Sequence, residues 1–392
     1  MDRTADILIP PETSWLADPD SQAVCAVLTR AGFRALFVGG CVRNALLGRA
    51  DSDIDIATDA LPEKVMDLAA AAGLKAVPTG IDHGTVTVVA GGKPFEITTF
   101  RRDVETDGRR AVVAFSTDIA EDARRRDFTM NALYATPDGR VVDPLGGLPD
   151  LHARRIRFIE NADARIKEDY LRTLRFFRFF AWYGDAQAGF DAEALDAITQ
   201  NLRGLETLSA ERVGAEMRKF LAAPDPAFAL AGMRQTGALG VILPGADDRL
   251  VGLVVDFEER LGLHPDWQTR LLALGGQDVV RRLRLSRAEA KALQTLMDAL
   301  EQMTSAEEVA YRHGQDAGVS LLLMRAALAE APPDADALDG LRRAAEAIFP
   351  VKAADLMPVF EGPALGAQLA TLERAWIASR FTASKEDLLS RL

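Results

Sequence analysis

The sequence predicts an α+β protein, with a small mixed sheet and its helices in the first third and an all-α arm after it. Three observations carry this. At 392 residues the chain is longer than one ordinary core organises, so two or more domains are expected. Short β-type runs crowd the first 140 residues and nearly vanish afterwards. From Asp163 onward a Leu- and Ala-rich helical periodicity takes over.

Taken in order, the head reads as helix Ser21 to Ala31, strand Ala35 to Val38, helix Val42 to Leu47 and strand Ile54 to Ala57. Helix Pro62 to Ala72 follows, then strands Thr85 to Ala90, Phe95 to Phe100 and Ala111 to Phe115. Turns rich in glycine or charge, such as Ala90-Gly91-Gly92-Lys93 and Asp107-Gly108, separate the strands. Pro224-Asp225-Pro226, Leu243-Pro244-Gly245 and Ala331-Pro332-Pro333-Asp334 punctuate the helical part. No fixed-period repeat is present.

Bulk composition narrows the function. Hydrophobic residues make up 48%, and no segment is low in complexity, so the whole chain is expected to be globular. A net charge of −12 argues against a nonspecific nucleic-acid coat, though a local basic surface is compatible with it. Residues 152 to 184 form such a surface, with eight basic residues against four acidic ones. RRLRLSRAEAK, residues 281 to 291, is a second basic stretch, either a backbone-following surface or a solvated helix face. The two cysteines, Cys25 and Cys41, lack a CxxC spacing and are expected to be reduced and interior. MDRTADILIP lacks the apolar run of a secretory signal, and no stretch has the ~18 apolar residues of a membrane span. A cytoplasmic protein without membrane partners is expected.

The chemistry concentrates in residues 36 to 60, LFVGGCVRNALLGRADSDIDIATDA. Asp53 and Asp55 stand two apart in a strand-like run, so both point to one face while Ile54 and Ile56 point to the other. Paired carboxylates repel unless a cation lies between them, and Mg²⁺ suits oxygen ligands while keeping positions for water and phosphate. Gly39-Gly40, between an apolar strand and a helix, lets backbone approach a phosphate at the helix N-terminus. Arg43, in the first helical turn, is placed to clamp a triphosphate. Glu96, alternating with Phe95 and Ile97 in KPFEITTF, is the candidate third carboxylate.

These residues resemble the class II tRNA nucleotidyltransferase and poly(A) polymerase family, whose head is of the DNA polymerase β type. ARRRDFTMNAL, residues 123 to 133, resembles the family's ribose-selecting motif, with Arg126 and Asp127 at its informative positions. DPLGGLPDL, residues 143 to 151, resembles the hinge between head and neck, and LSAERVGAEMRKFL, residues 208 to 221, a helix start that follows. RIKEDYLRTLRFFRF, residues 165 to 179, resembles the nucleotide-selecting helix of the form Glu-Asp-x-x-Arg. On one helix Asp169 and Arg172 would share a face and present acceptor and donors to a base edge. By resemblance Arg175 and Arg178 add contacts there. The matches run from about residue 36 to 221, and past that only a generic helical body is similar.

The resemblance implies a nucleotidyltransferase head over residues 1–140 and a helical neck with the selecting helix over 141–205. A helical body over 206–275 and a tail over 276–392, contacting tRNA, complete it. It also implies an enzyme that adds C, C and A to the tRNA 3′ end from CTP and ATP, with Mg²⁺ held by Asp53 and Asp55. A CC-only or A-only enzyme, a poly(A) polymerase, and an inactive RNA-binding protein are the alternatives. The chain departs from the family where Arg-Asp is usual, having Arg43-Asn44, which loses a charge. No His-Asp dipeptide occurs, so an appended phosphohydrolase domain of that type is not expected. Residues 101 to 118 read either as a charged hairpin or as a mobile element coupled to the selecting helix.

Overall fold

The computed structural model describes residues 7–49, 53–107, 110–334, 336–357, 359–390 and 392. The chain forms two compact units. One runs to Ser209 and includes Gly232–Ile242, and the other comprises Ala210–Ala231 and Leu243–Leu392.

The first unit opens with α1 (Ser14–Ala17), α2 (Pro19–Arg30), β1 (Ala35–Val38), α3 (Gly40–Leu46), β2 (Asp55–Thr58) and α4 (Pro62–Ala71). Next come β3 (Lys75–Gly80), β4 (Thr85–Ala90), β5 (Lys93–Thr99), β6 (Arg101–Asp107), β7 (Arg110–Phe115) and α5 (Ile119–Arg124). The short strands β8 (Tyr134–Ala135) and β9 (Val141–Val142) precede α6 (Leu148–His152), α7 (Ala162–Glu168), α8 (Leu171–Tyr183) and α9 (Ala192–Gln200). Seven strands make one mixed sheet in the order β3-β4-β5-β2-β1-β8-β9. Among the described strands β2 and β5 are the parallel pair, and the other neighbours are antiparallel.

The local causes are legible. Gly91 and Gly92 have φ of 57° and 81°, which a two-residue hairpin needs to turn β4 into β5. Ile56, Ala57 and Thr58 are all buried because β2 is central and covered on both sides. Asp53 and Ile54 precede the strand, so Ile54 is only half-buried where a core position was expected. α2 and α4 pack on the β3–β4 half of the sheet, and α2 also touches β1. Phe100, Ala123, Tyr134 and Ile159 join Leu36, Val38 and Ala57 in a core cluster. Residues 101 to 118 form a hairpin, β6 paired with β7, although Gly108 and Arg109 of its expected turn lie outside the described residues.

One helix expectation fails. Residues 165 to 179 do not form a single helix, because α7 ends at Glu168 and α8 starts at Leu171. Asp169 sits between them at φ −156° and ψ 104°, and its Oδ1 accepts from the Leu171 N–H at 3.1 Å. A short carboxylate that bonds the backbone two residues on competes with the helical ladder, and here it wins. Asp169 and Arg172 are therefore neighbours across a helix start rather than partners on one helical face.

α8 is seated by aromatic rings. Phe128 lies 5.0 Å from Phe158 and 5.1 Å from Phe179, and Phe158 stacks on Phe176 at 5.6 Å. Phe176 and Phe177 are fully buried, so α8 turns its phenylalanines inward. Arg172, Arg175 and Arg178, each half-buried, fall on the opposite flank at three-residue spacing.

Among its described residues the second unit has helices and no strands. It holds a buried ion pair: Arg270, 1% exposed, is bound to Glu258 at 2.7 Å and donates to the carbonyls of Leu221 and Pro224 at 2.7 and 3.1 Å. Two apolar clusters follow, one around Leu296, Val309, Leu321 and Leu341, the other around Val351, Leu372, Trp376 and Leu388.

Candidate active site

The site of the first unit begins at the turn after β1. Gly39 has φ 74° and ψ −116°, a conformation that only glycine adopts without strain. A Cβ there would stand 3.4 Å from Arg126 Nη1, so the turn and that guanidinium are in close approach. Arg126 Nε donates to the Tyr134 hydroxyl at 3.2 Å and Nη2 to Asp122 at 3.1 Å, while Tyr134 donates to the same carboxylate at 2.7 Å. Asp122 and Tyr134 are both buried, which fixes the direction in which Arg126 reaches.

The carboxylates assemble at the adjoining strand edges. Asp55 opens β2 and is in parallel register with Glu96 of β5, so the two occupy neighbouring positions on one face. Burial pushes the Asp55 carboxyl up to about 6, and the nearby charges of Glu96 and Asp53 add to this while Arg126 opposes it. Asp53 and Glu96 are exposed, the rim of a site whose floor is Asp55. Among the described residues no group of three or more His, Cys, Asp or Glu closes around a metal. Negative charge crowded onto a half-buried oxygen donor fits a hard divalent cation that keeps positions for phosphate and water.

The expected triphosphate and ribose residues lie beside this floor, in a network denser than the sequence suggests. Arg43 is buried, and its Nε and Nη2 donate to Asn44 Oδ1 at 3.1 and 2.9 Å. Nη1 donates to Asn131 Oδ1 at 2.5 Å and Nη2 to the Tyr183 hydroxyl at 2.8 Å. Burial draws the pKa of Arg43 down. Asn44, the departure from the usual Arg-Asp pair, thus serves Arg43 as a neutral acceptor. Asp127 accepts from its neighbour's Phe128 N–H and from Asn131 Nδ2, both at 2.9 Å, and from Arg175 Nε at 2.7 Å. Burial alone would raise the Asp127 carboxyl, but the Arg175 charge and these hydrogen bonds hold it at about 2.

The expected selecting residues line up with the first turns of α8. Arg172 pairs with Glu168 and donates to the Arg165 carbonyl at 2.8 Å. Arg178 lies over the Phe179 ring at 4.5 Å. Asp169 is half-exposed at the break before α8. The head therefore gathers Gly39, Gly40 and Arg43 with Arg126 and Asp127, and Asp127 links that group to α8 through Arg175.

Four residues in this network escaped sequence reasoning. Asn131 lies four residues after Asp127 inside the motif itself, and that spacing was its signal. Tyr183 follows Phe179 by one helical turn, an aromatic pair on the flank of Arg175 and Arg178. Asp122 and Tyr134 carried no signal, since only the fold brings them to Arg126.

The chain is similar to known proteins over most of its length. Residues 35–157 match the poly A polymerase head domain, and residues 189–250 match the probable RNA and SrmB-binding site of polymerase A. A mitochondrial CCA tRNA nucleotidyltransferase 1 of Danio rerio is 32% identical over 92% of this chain and 87% of its own length. A CCA-adding enzyme of Geobacillus kaustophilus is 37% identical over 78% of this chain and 77% of its own. The crystal structure of the Bacillus stearothermophilus CCA-adding enzyme with CTP superposes with a TM-score of 0.72 at 29% identity. That likeness covers 95% of this chain and 98% of the other. On this breadth of likeness, the chain belongs to the tRNA nucleotidyltransferase/poly(A) polymerase family, within its class II CCA-adding branch.

Proposed function

We propose that this chain adds C, C and A to the 3′ end of tRNA from CTP and ATP, without a nucleic-acid template. The observation that carries the reading is Asp55 held in register with Glu96, close enough to Asp53 and Arg126 for all three charges to act on its carboxyl. In the reaction the tRNA 3′-hydroxyl attacks the α-phosphorus of the triphosphate, a new P–O bond forms, and the bond from the α-phosphorus to the bridging oxygen breaks, its electron pair leaving with pyrophosphate.

Mg²⁺ on Asp53 and Asp55 supplies Lewis-acid chemistry at the α-phosphate when bound. Glu96 takes the hydroxyl proton in this reading, supported by its register beside Asp55 and its exposure. Gly39 and Gly40 let the phosphates approach backbone at the start of α3, and Arg43 and Arg126 face them with positive charge. Asp127 orients Arg175 rather than acting alone, and Arg178 extends the same flank. Asp169 and Arg172, adjoining at the start of α8, offer an acceptor and donors to the base edge. The neck is read as residues 141–205, the body as 206–275 and the tRNA-contacting tail as 276–392. A cytoplasmic location belongs to the same reading, supported by two free, buried cysteines. Among the described residues no helix is long and apolar enough to cross a membrane.

The test is incubation of the purified chain with tRNA lacking its 3′ end, CTP, ATP and Mg²⁺. The reading requires extension by three nucleotides and release of pyrophosphate, and an unextended tRNA rejects it.

A further inference from the structure

Tyr183 closes α8 and holds more than its own helix. Its hydroxyl accepts from Arg43 Nη2 at 2.8 Å, and the Arg43 guanidinium carbon lies 4.1 Å from the centre of its ring. The guanidinium of Arg49 lies over the same ring at 5.0 Å. Phe179, one turn earlier, is 5.6 Å from the Tyr183 ring and 5.1 Å from the Arg43 guanidinium.

The two cations have a revealing origin. Arg43 belongs to α3 and Arg49 follows the end of that helix, four residues before Asp53. Like charges so near each other repel, and a guanidinium is drawn to the negative face of a ring. The hydrogen-bond partners of Arg43 are all neutral: Asn44, Asn131 and Tyr183. The Tyr183 ring is thus the contact that the two guanidinia share beside α8.

We propose that Tyr183 is a positioning residue for nucleotide transfer, one that ties α3 and the Arg49 that follows it to the helix carrying Arg172, Arg175 and Arg178. The inference rests on the transferase reading above. A triphosphate reaching Arg43 and a base reaching Arg172 belong to one molecule, so the two groups must keep a fixed separation. Tyr183 sets that separation without touching the base, which makes its loss a defect in affinity for both nucleotides and not in choice between them.

The test uses the full chain with Tyr183→Leu, Tyr183→Phe and Arg49→Ala. In the Leu variant KM for CTP and for ATP rises together, by about tenfold, while the preference among nucleotides is unchanged. The Phe variant keeps the ring and recovers most of that loss. Arg49→Ala raises KM by itself, and added to Tyr183→Leu it costs nothing further, since both act through one contact. A second readout needs no nucleotide: amide exchange over residues 41–49 quickens in the Leu variant and returns toward wild type in the Phe variant. Unchanged exchange over that segment in a folded Leu variant overturns the proposal, and an unchanged KM in Arg49→Ala overturns it even where the Leu variant fails to fold. A wild-type chain that transfers nothing defeats the transferase reading instead, and the exchange measurement still decides the role of Tyr183.

Discussion

Asp127 and Arg175 are joined by two donations to one carboxylate oxygen, from Nε at 2.7 Å and from Nη2, which fasten the segment after α5 to the middle of α8. The pair lets a motif in the head and an arginine 48 residues later act as one piece. The other Asp127 oxygen is held by Asn131, whose own carbonyl receives Arg43, so the chain of contacts reaches the Gly39 turn.

The stability of this link has a defined pH dependence. Asp127 titrates at about 2 in the folded protein against an ordinary 3.8, so its stabilisation is complete above the unfolded value. It is lost as pH falls through the folded value. Asp127→Asn is expected to cost about 2 kcal/mol at neutral pH. Urea midpoints measured downward in pH should show that deficit shrink only below about pH 4.

Asp55 works in the opposite direction. Its pKa of about 6 lies above the ordinary 3.8, so the metal-free fold loses stability as pH rises from about 4 through about 6, and the penalty is constant above that. Asp55→Asn should therefore raise the thermal midpoint of the chelator-treated protein at pH 7 while removing activity. In the wild type, the Mg²⁺ concentration for half-maximal rate should climb as pH falls below 6, because protons and the cation compete for one group. Asp53→Ala and Asp55→Ala should each lower transfer by at least about a hundredfold with tRNA affinity little changed. Near-normal turnover by both would remove the carboxylates from the chemistry.

Arg172→Ala tests base selection. The side chain is anchored by Glu168 and the Arg165 carbonyl, so its fork is directed before any base arrives. Losing it should degrade discrimination among CTP, ATP, UTP and GTP by roughly 1–3 kcal/mol, read as ratios of kcat/KM. Wild-type preference with weaker tRNA binding would make Arg172 a backbone contact.

Arg270 offers a control remote in role from catalysis. Arg270→Ala leaves buried Glu258 and the carbonyls of Leu221 and Pro224 unpaired, which should cost about 3–5 kcal/mol. Denaturant unfolding measures it directly, and a loss below 1 kcal/mol would mean that the second unit does not depend on this staple.

How far the sequence could be read follows the range of the interactions involved. β1 and β4 were legible to the residue, because apolar runs bounded by glycines depend on local chemistry alone. The pairing of Asp55 with Glu96 was suggested by residue type, but the parallel register that aligns them is a property of the sheet. β3 went unrecognised, since KAVPTG is largely exposed, and β6 was read only as one arm of a charged hairpin over residues 101 to 118, since RRDVETD carries no apolar alternation. The break at Asp169 was hidden because a helix interior and a capping carboxylate look alike until the Leu171 N–H is seen to be captured. Arg43 was expected from its motif, yet the ring that seats it arrives from 140 residues away.

The most direct measurement is stepwise extension on two tRNA substrates, one lacking the whole 3′ terminus and one already carrying both C residues. With CTP alone the first should gain two nucleotides and stop. With ATP alone the second should gain one and stop, and with both nucleotides the first should gain three. One constellation of Gly39, Asp53, Asp55 and Glu96 has to serve every step, so Asp55→Ala should abolish C and A addition alike. A wild-type product that halts after the second C, or one that grows a long run of A, would contradict the account.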